Sequence, residues 1–234
     1  MKVVGIIPAR YSSNRFPGKP LVDIQGKSMI QRVYEQAKQA NLLDVVVATD
    51  DQRIFDKVIS FGGKVVMTAS DHLCGTDRCL EALKKLDSKY DAVINIQGDE
   101  PFIQPEQINK VANCFRDSST QIATLAKSIK DESVLLDVNS PKVSFDDKKI
   151  ALTFSRKATI TIEKKHFKHI GIYGYKTDVL EEIAQLPQSK NEISERLEQF
   201  RWLDNGYKIL VELTDLETIS IDSAADLKKI KGLA

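Results

Sequence analysis

The sequence has little of several features that would define a class of protein. It contains three cysteines in 234 residues, Cys74, Cys79 and Cys114. The number is odd and shows no pairing pattern, which excludes a disulfide scaffold and predicts a reducing compartment. Cys74 and Cys79 lack a second pair at zinc spacing, so no structural zinc site is expected. No run approaches the roughly 20 apolar residues of a membrane span. We therefore expect a soluble, cytoplasmic protein without membrane insertion.

Net charge is also nearly absent. Lys and Arg total 34 against 33 Asp and Glu, which gives a net charge of +1. This balance argues against a nucleic-acid partner bound through a broad basic surface. The length suits one large α/β domain or two small ones. Any electrostatic function must therefore depend on local clusters of charge.

Apolar segments of two kinds alternate over the first 100 residues. Short continuous runs predict buried strands, and runs with apolar residues at helical spacing predict helices. The predicted strands are 3–7, 45–48, 64–67 and 92–96. The predicted helices contain Met29 and Val33, Ile54 and Val58, and Cys79 and Leu83. This alternation predicts a parallel sheet with helices on both faces.

The later part of the chain is richer in strand patterns. Strands are predicted at 122–126, 142–145, 150–154, 169–175 and 208–213. One helix is predicted over 192–203, and a last one begins near Ser223, with Asp226 as its capping partner. We predict one α/β domain with a mixed, mostly parallel central sheet and a C-terminal elaboration.

The loop after the first predicted strand is the first candidate for chemistry. Ligands of open α/β sheets bind beyond the carboxyl ends of the strands. Arg10, Arg15 and Lys19 place three cations in this loop beside Gly18. Cations and backbone N–H groups suit an oligophosphate. A solvated basic loop is the alternative, and the position after strand one favours the phosphate site.

Two carboxylates also follow predicted strands. Asp99 comes after the fourth strand, in Gln97-Gly98-Asp99, and Asp222 follows the strand-like stretch 218–221. Mg²⁺ prefers one or two carboxylates together with phosphate oxygens and water. The alternative for Asp99 is a turn residue. The segment 68–78, which lies in the sequence between the first loop and Asp99, is dense in hydrogen-bonding groups. A helix N-cap at Thr76 or Ser70 would explain much of this density without a ligand.

Several motifs in register carry a family resemblance. They are Pro8-Ala9-Arg10, Val47-Ala48-Thr49-Asp50, Asp71-His72, Gly75-Thr76-Asp77-Arg78, Gln97-Gly98-Asp99-Glu100-Pro101, Phe154-Ser155-Arg156 and His169-Ile170-Gly171-Ile172-Tyr173. With later residues up to Asp222, they cover nearly the whole chain. The sequence resembles the 3-deoxy-manno-octulosonate (Kdo) cytidylyltransferases, which have a Rossmann-like nucleotide-sugar transferase fold. The resemblance implies one domain, 1–234, with 1–128 mainly for nucleotide, 129–221 mainly for sugar and dimerisation, and 222–234 for a metal carboxylate and closing helix.

The resemblance implies a reaction and a set of site residues. The reaction is Mg²⁺-dependent transfer of CMP from CTP to the anomeric hydroxyl of Kdo, with release of pyrophosphate, for lipopolysaccharide synthesis by a cytoplasmic homodimer. The implied catalytic residues are Arg10, Arg15, Lys19, Asp99 and Asp222, the last two as metal ligands. The implied nucleotide-binding residues are Pro8, Ala9, Arg10, Ser13, Lys19, Asp71, His72, Cys74, Gly75 and Gln97. The implied sugar-binding residues are Arg78, Gln97, Arg156, His169, Tyr173, Glu198 and Gln199, of which His169 and Tyr173 have an alternative reading as core residues.

Departures from the family pattern lie mostly in the sugar half. Cys74 replaces a Ser, Ser223-Ala224 replaces Thr-Pro, and the segment 157–168 is short. These changes leave two rival functions: the same transfer to a related acid such as 8-amino-Kdo, or a non-catalytic nucleotide-binding paralogue. The second rival predicts loss of a metal carboxylate or a phosphate-loop cation, and none is lost from the sequence.

Overall fold

The computed structural model describes residues 1–12, 16–157, 166–221, 223 and 225–227. Its strands are β1 Val3–Ala9, β2 Asp23–Ile24, β3 Lys27–Ser28, β4 Asp44–Thr49, β5 Val65–Met67, β6 Ala92–Asn95, β7 Ile122–Ser128, β8 Lys142–Phe145, β9 Ala151–Ser155, β10 Phe167–Lys176 and β11 Ile209–Leu213. Its helices are α1 Met29–Lys38, α2 Gln52–Ser60, α3 Gly75–Lys84, α4 Pro105–Cys114, α5 Glu132–Leu136, α6 Thr177–Ile183, α7 Lys190–Glu195 and α8 Gln199–Asp204.

Nine of these strands form one mixed sheet. Its main path runs β11-β7-β10-β6-β1-β4-β5, and β8 and β9 extend it from β10. The strands β6, β1, β4 and β5 are parallel to one another. The strand β10 runs antiparallel to both β6 and β7. The predicted mixed, mostly parallel sheet is thus confirmed, and β10 joins its two halves.

The sheet is covered on both faces, which explains the apolar runs of the first strands. Val4, Ile6 and Ile7 of β1 are fully buried. Ile7 belongs to one core cluster, with α1, α2 and α4, whereas Val4 and Ile6 belong to the other, with α3 and α6. A strand buried on both faces needs apolar residues in succession rather than in alternation.

The helices differ from the sequence interpretation, which did not identify α4, α5 or α6. The start of α4 is nevertheless marked by Pro105 in its first turn and by a capping box between Gln104 and Gln107. The single helix predicted over 192–203 is wrong. It is divided into α7 and α8 at Arg196, which adopts the left-handed conformation with φ 55°. Ile193, an apolar residue of the predicted helix, is 61% exposed.

Of the helix caps considered from the sequence, one is confirmed and one is corrected. The predicted capping pair is confirmed, because the Asp226 carboxylate accepts from the Ser223 amide at 2.9 Å and from its hydroxyl at 2.8 Å. The N-cap of α3 is Cys74, not Thr76 or Ser70, and its side chain makes no capping bond. Among the helices that the structure describes, none is long and apolar enough to cross a bilayer.

Candidate active site

A cleft of about 250 Å³ opens at the carboxyl ends of β1 and β6. The loop that leads from β5 into α3 closes its third side. The lining residues are Pro8, Ala9, Arg10, Lys19, Pro20, His72, Leu73, Cys74, Gly75, Arg78, Gln97, Gly98 and Asp99. Three segments far apart in sequence therefore meet where an open α/β sheet binds ligands.

An ion pair links two sides of this cleft. The Lys19 Nζ donates to Asp99 Oδ2 at 2.7 Å, and both side chains remain partly exposed to the cleft. The pair joins the loop after β1 to the turn after β6. It brings together a predicted phosphate-binding cation and a predicted metal carboxylate.

A glycine allows these two strand ends to approach each other. A Cβ atom at Gly98 would lie 2.9 Å from the carbonyl oxygen of Pro8, a distance that side chains do not tolerate. Gly98 therefore lets the turn before Asp99 pass directly over the end of β1. The position of Asp99 depends on this contact.

An aromatic ring packs against the loop after β1, which carries Arg10 and Lys19. Gly18 has φ 70°, and a Cβ there would meet the Tyr11 ring at 3.1 Å. The guanidinium of Arg53 stacks on the same ring, 3.3 Å from its centroid. Stacking of this kind restricts the ring and so limits the paths of the loop.

The loop before α3 contributes His72, Cys74 and Gly75 to the cleft. Burial, and then the charge of Glu198, raise the pKa of the Cys74 thiol, which is therefore neutral. Asp71, which the resemblance placed with the nucleotide, does not line this cleft. It lies instead in a neighbouring groove of about 450 Å³.

Arg78 lines the cleft but is anchored beneath it. Its guanidinium is buried and donates to Thr68 Oγ1 at 2.6 Å, to the Ala69 carbonyl at 3.1 Å and to Asp50 Oδ2 at 3.1 Å. These partners hold the start of the loop before α3. The role of Arg78 toward a sugar carboxylate stays a prediction.

Four of the predicted sugar residues form a buried group next to the cleft: His169, Tyr173, Glu198 and Gln199. The rings of His169 and Tyr173 are 5.3 Å apart, and Tyr173 lies edge-on to Trp202 at 4.9 Å. A register shift in β10 between Ile170 and Tyr173 separates their pairing with β7. At this shift Thr124 Oγ1 donates to the Ile172 carbonyl at 2.8 Å and lies 3.0 Å from His169 Nε2.

Several polar atoms in and beside this group have no partner within the described part of the chain. Tyr173 Oη, Glu198 Oε1, Gln199 Nε2 and Trp202 Nε1 are buried and make no hydrogen bond with any described residue. Buried polar atoms in native proteins are rarely left without one. Their concentration beside the cleft marks a place for a polar ligand or ordered water.

Burial controls the charge of this group. It lowers the pKa of His169 to about 3, so the imidazole is neutral at physiological pH. It raises the pKa of Tyr173 and of Glu198, and for Glu198 the nearby Thr76 and Cys74 act in the opposite direction. His169 therefore serves as a neutral hydrogen-bonding group.

The break between α7 and α8 places Glu198 and Gln199. The buried Arg201 donates to both carboxylate oxygens of Glu192, at 2.6 and 2.8 Å, and so ties α8 to α7. Arg156 reaches the break from β9, with its guanidinium 3.5 Å from the Arg196 carbonyl and 3.3 Å from that of Val138. Arg156 supports this corner and does not line the cleft.

Three predicted residues, Ser13, Arg15 and Asp222, lie outside the described residues. The amide of Ile221, which precedes Asp222 in the sequence, donates to the Asp99 carbonyl at 2.9 Å. Within the described ranges no group of three or more His, Cys, Asp and Glu side chains could hold a metal. Asp99 nevertheless fits Mg²⁺, because it offers a hard, cleft-facing carboxylate beside cations that suit phosphate.

Comparisons with known proteins agree with this fold. A family model described as Cytidylyltransferase matches residues 4–210. The 3-deoxy-manno-octulosonate cytidylyltransferase of Parabacteroides distasonis is 54% identical, over 98% of this chain and 96% of its own. The enzyme of the same name from Bacteroides thetaiotaomicron is 55% identical, over 97% of this chain and 96% of its own.

A solved structure gives the same result. A CMP:2-keto-3-deoxy-manno-octonic acid synthetase complexed with CTP superimposes with a TM-score of 0.94 at 41% identity, over 100% of this chain and 98% of that one. A 4-diphosphocytidyl-2C-methyl-D-erythritol synthase from Anaerococcus prevotii, at 14% identity and TM-score 0.64, shares the fold alone. The fold is that of a nucleotidyltransferase. The chain belongs to the 3-deoxy-manno-octulosonate cytidylyltransferase family.

The buried neutral His169 predicts a pH-dependent stability. Because its folded pKa of about 3 lies below the ordinary value of 6.5, its contribution is present above pH 6.5 and is lost as the pH falls. Between pH 7 and pH 5 the free energy of unfolding should lose about 2 kcal/mol from this group. Urea denaturation at both pH values measures it.

Two variants identify the source of that change. His169→Gln should remove this part of the pH dependence, whereas Thr124→Val, which keeps the buried imidazole and deletes only its hydroxyl neighbour, should retain it. An equal pH dependence in wild type and His169→Gln would contradict the assignment.

Proposed function

We propose that the protein transfers CMP from CTP to the anomeric hydroxyl of 3-deoxy-D-manno-octulosonate, giving CMP-Kdo and pyrophosphate for lipopolysaccharide synthesis. The observation that carries this proposal is the cleft in which Lys19, Asp99 and the loop before α3 meet beside a buried polar group. The synthetase complexed with CTP, 41% identical over the whole chain, supports the choice of nucleotide. The relatives' name supports the choice of sugar.

The residues of this chain have distinct parts in the proposed reaction. Arg10, Arg15 and Lys19 bind the triphosphate and stabilise the charge that moves onto the departing pyrophosphate. Pro8, Ala9, Ser13 and the loop 71–75 hold the nucleotide, so that the α-phosphorus faces the sugar hydroxyl in line. The bond between the α-phosphorus and the bridging oxygen breaks as the new phosphorus–oxygen bond forms.

A magnesium ion completes the proposed site, with Asp99 and Asp222 as its protein ligands. When bound, Mg²⁺ neutralises phosphate charge and lowers the pKa of the attacking hydroxyl. Lys19, which donates to one oxygen of Asp99 at 2.7 Å, orients that carboxylate. The amide of Ile221 on the Asp99 carbonyl supports the pairing of the two carboxylates.

The sugar site is proposed in the buried group beside the cleft. Tyr173, Glu198 and Gln199 have polar atoms without a partner among the described residues, and a polyhydroxylated acid would satisfy them. Gln97, which lines the cleft, is proposed to contact both the nucleotide and the sugar. Arg78, Arg156 and the neutral His169 complete the proposed set, Arg156 at its rim.

A homodimer is part of the proposal, with the later half of the chain at its interface. Within the described residues β9 pairs only with β8, so it is an edge strand. Its Leu152 is 63% exposed, and Leu136 and Val138 are exposed nearby in sequence. Exposed apolar side chains on an unpaired edge favour association with a second copy.

The dimer predicts a measurable mass. Light scattering should give about twice 26.3 kDa for the wild type. Leu152→Lys should shift it to the monomer, because a charge replaces the apolar contact. Leu43→Lys is a matched control, since Leu43 is 58% exposed in the nucleotide half. A monomeric wild type would refute the dimer.

The reaction itself is tested by pyrophosphate release. Purified protein, CTP and Mg²⁺ are combined with a panel of ulosonic acids that includes Kdo and 8-amino-Kdo, and the product is identified by mass spectrometry. We expect release and CMP-Kdo formation with Kdo. Release only with another acid would overturn the sugar assignment, and no release with any acid would favour the non-catalytic paralogue.

Asp99→Asn should abolish turnover in this assay. The substitution keeps the size of the side chain and removes the charge that a metal ligand and a Lys19 partner need. Asp91→Asn is the control, because Asp91 precedes β6 at its opposite end, where it accepts from the Lys2 amide. Near-normal rates in Asp99→Asn, with the circular dichroism spectrum unchanged, would refute the metal role.

A further inference from the structure

One face of α3 holds the loop that precedes it. Arg78, Glu81 and Lys85 follow one another at spacings of three and four residues, so they share a side of the helix. Arg78 binds Thr68 and the Ala69 carbonyl. Lys85 Nζ donates to the Met67 carbonyl at 2.8 Å. The start of the loop is thus fixed from the helix that the loop leads into.

Glu81 extends this support to the part of the loop that lines the cleft. Its Oε2 accepts from the Ala69 amide at 2.8 Å and forms a short contact with His72 Nε2. Its Oε1 pairs with Lys85 Nζ at 2.7 Å. One carboxylate therefore ties together the start of the loop, its cleft-lining histidine and the helix.

Glu81 itself does not line the cleft. It lies in the neighbouring groove, whereas His72 and Leu73 line both cavities. The loop is therefore a thin wall between them, with Glu81 on its far side. A side chain placed there can affect nucleotide binding only through the conformation of this loop.

The carboxyl group of Glu81 is ionised. Burial acts to raise its pKa, but hydrogen bonds from Lys85, the Ala69 amide and His72 outweigh that effect and lower it to about 2. The carboxylate is thus ionised at every pH of physiological interest. Its hydrogen bonds are charge-assisted, and such bonds are stronger than neutral ones.

We propose that Glu81 is a positioning residue for nucleotide recognition, which sets the conformation of the loop 69–75 by holding Ala69 and His72 from behind. The proposal rests on the function proposed above, since it takes CTP as the ligand of this loop. Glu81 contacts neither the proposed sugar-binding residues nor the Lys19–Asp99 pair. Its loss should therefore affect binding of the nucleotide and leave the chemical step intact.

The expected result is a split between kinetic constants. Glu81→Ala should raise the KM for CTP about tenfold, the loss expected for a charge-assisted hydrogen bond. The kcat and the KM for Kdo should stay within twofold of wild type. Calorimetric titration of CTP without sugar should show the same weakening of the Kd. Glu81→Gln, which keeps an acceptor for the Ala69 amide, should recover most of the affinity.

The chain provides a closely matched control in α4. Glu106 pairs with Lys110 at 3.9 Å with the same i, i+4 spacing, and Lys110 also donates to a backbone carbonyl, that of Leu213. Glu106→Ala removes a comparable surface pair without touching the loop. It should leave every kinetic constant unchanged.

Each outcome decides the matter. An unchanged KM for CTP in Glu81→Ala would overturn the proposal, and so would parallel losses in kcat and in the KM for Kdo. If Glu81→Ala does not fold, the test moves to Glu81→Asp, which keeps the charge but shortens the side chain by one methylene, so that it cannot hold Ala69 and His72 together. Its KM for CTP should rise while kcat stays within twofold of wild type, and an unchanged KM for CTP in Glu81→Asp would overturn the proposal. A wild type that neither binds nor turns over CTP would refute the proposed function, and the positioning role with it.

Discussion

The close approach of the turn after β6 to the end of β1 is the contact on which the site depends. Gly98 passes over the Pro8 carbonyl at a distance that no other residue permits, and Asp99 then meets Lys19. If the turn moved outward, the carboxylate and the cation would separate. The parallel pairing of β1 with β6 fixes the two strand ends at one level and makes this approach possible. The fold thus positions opposite charges at one edge before any ligand is present.

Around that contact the open cleft and the buried group beside it differ in composition. The cations and the loop before α3 face the open cleft, whereas the proposed sugar residues come from β10 and α8 and are buried. β10 pairs with β6 on one side and β7 on the other, so it carries His169 and Tyr173 to the nucleotide half. Because burial keeps His169 neutral, this region is suited to recognition through hydrogen bonds, whereas the cations of the cleft suit recognition through charge.

Much of the fold could be predicted, because β1, β4 and β6 are buried on both faces and need continuous apolar runs. The clustering of Arg10, Lys19, Gln97 and Asp99 also follows, since strand ends meet at one edge. The supporting contacts could not be found this way. Nothing in spacing shows that Arg78 turns to Asp50 or that Glu81 holds Ala69 and His72, since both depend on where the loop folds back. The break at Arg196 was missed for a similar reason: helical periodicity continues across a residue whose left-handed φ no sequence pattern marked.

The break at Arg196 affects how many polar groups one short segment can place in the interior. In an uninterrupted helix neighbouring residues point about 100° apart, because a turn takes about 3.6 residues. Two adjacent side chains would then diverge around the axis. The same divergence holds at the start of α8, where Glu198 already has helical φ and ψ, so the break at Arg196 acts by directing this end of α8 into the interior. Glu198, Gln199 and, one turn on, Trp202 all place polar atoms there. A chain of modest length thereby gains a dense set of buried polar groups from a single corner, which the Glu192–Arg201 pair ties together.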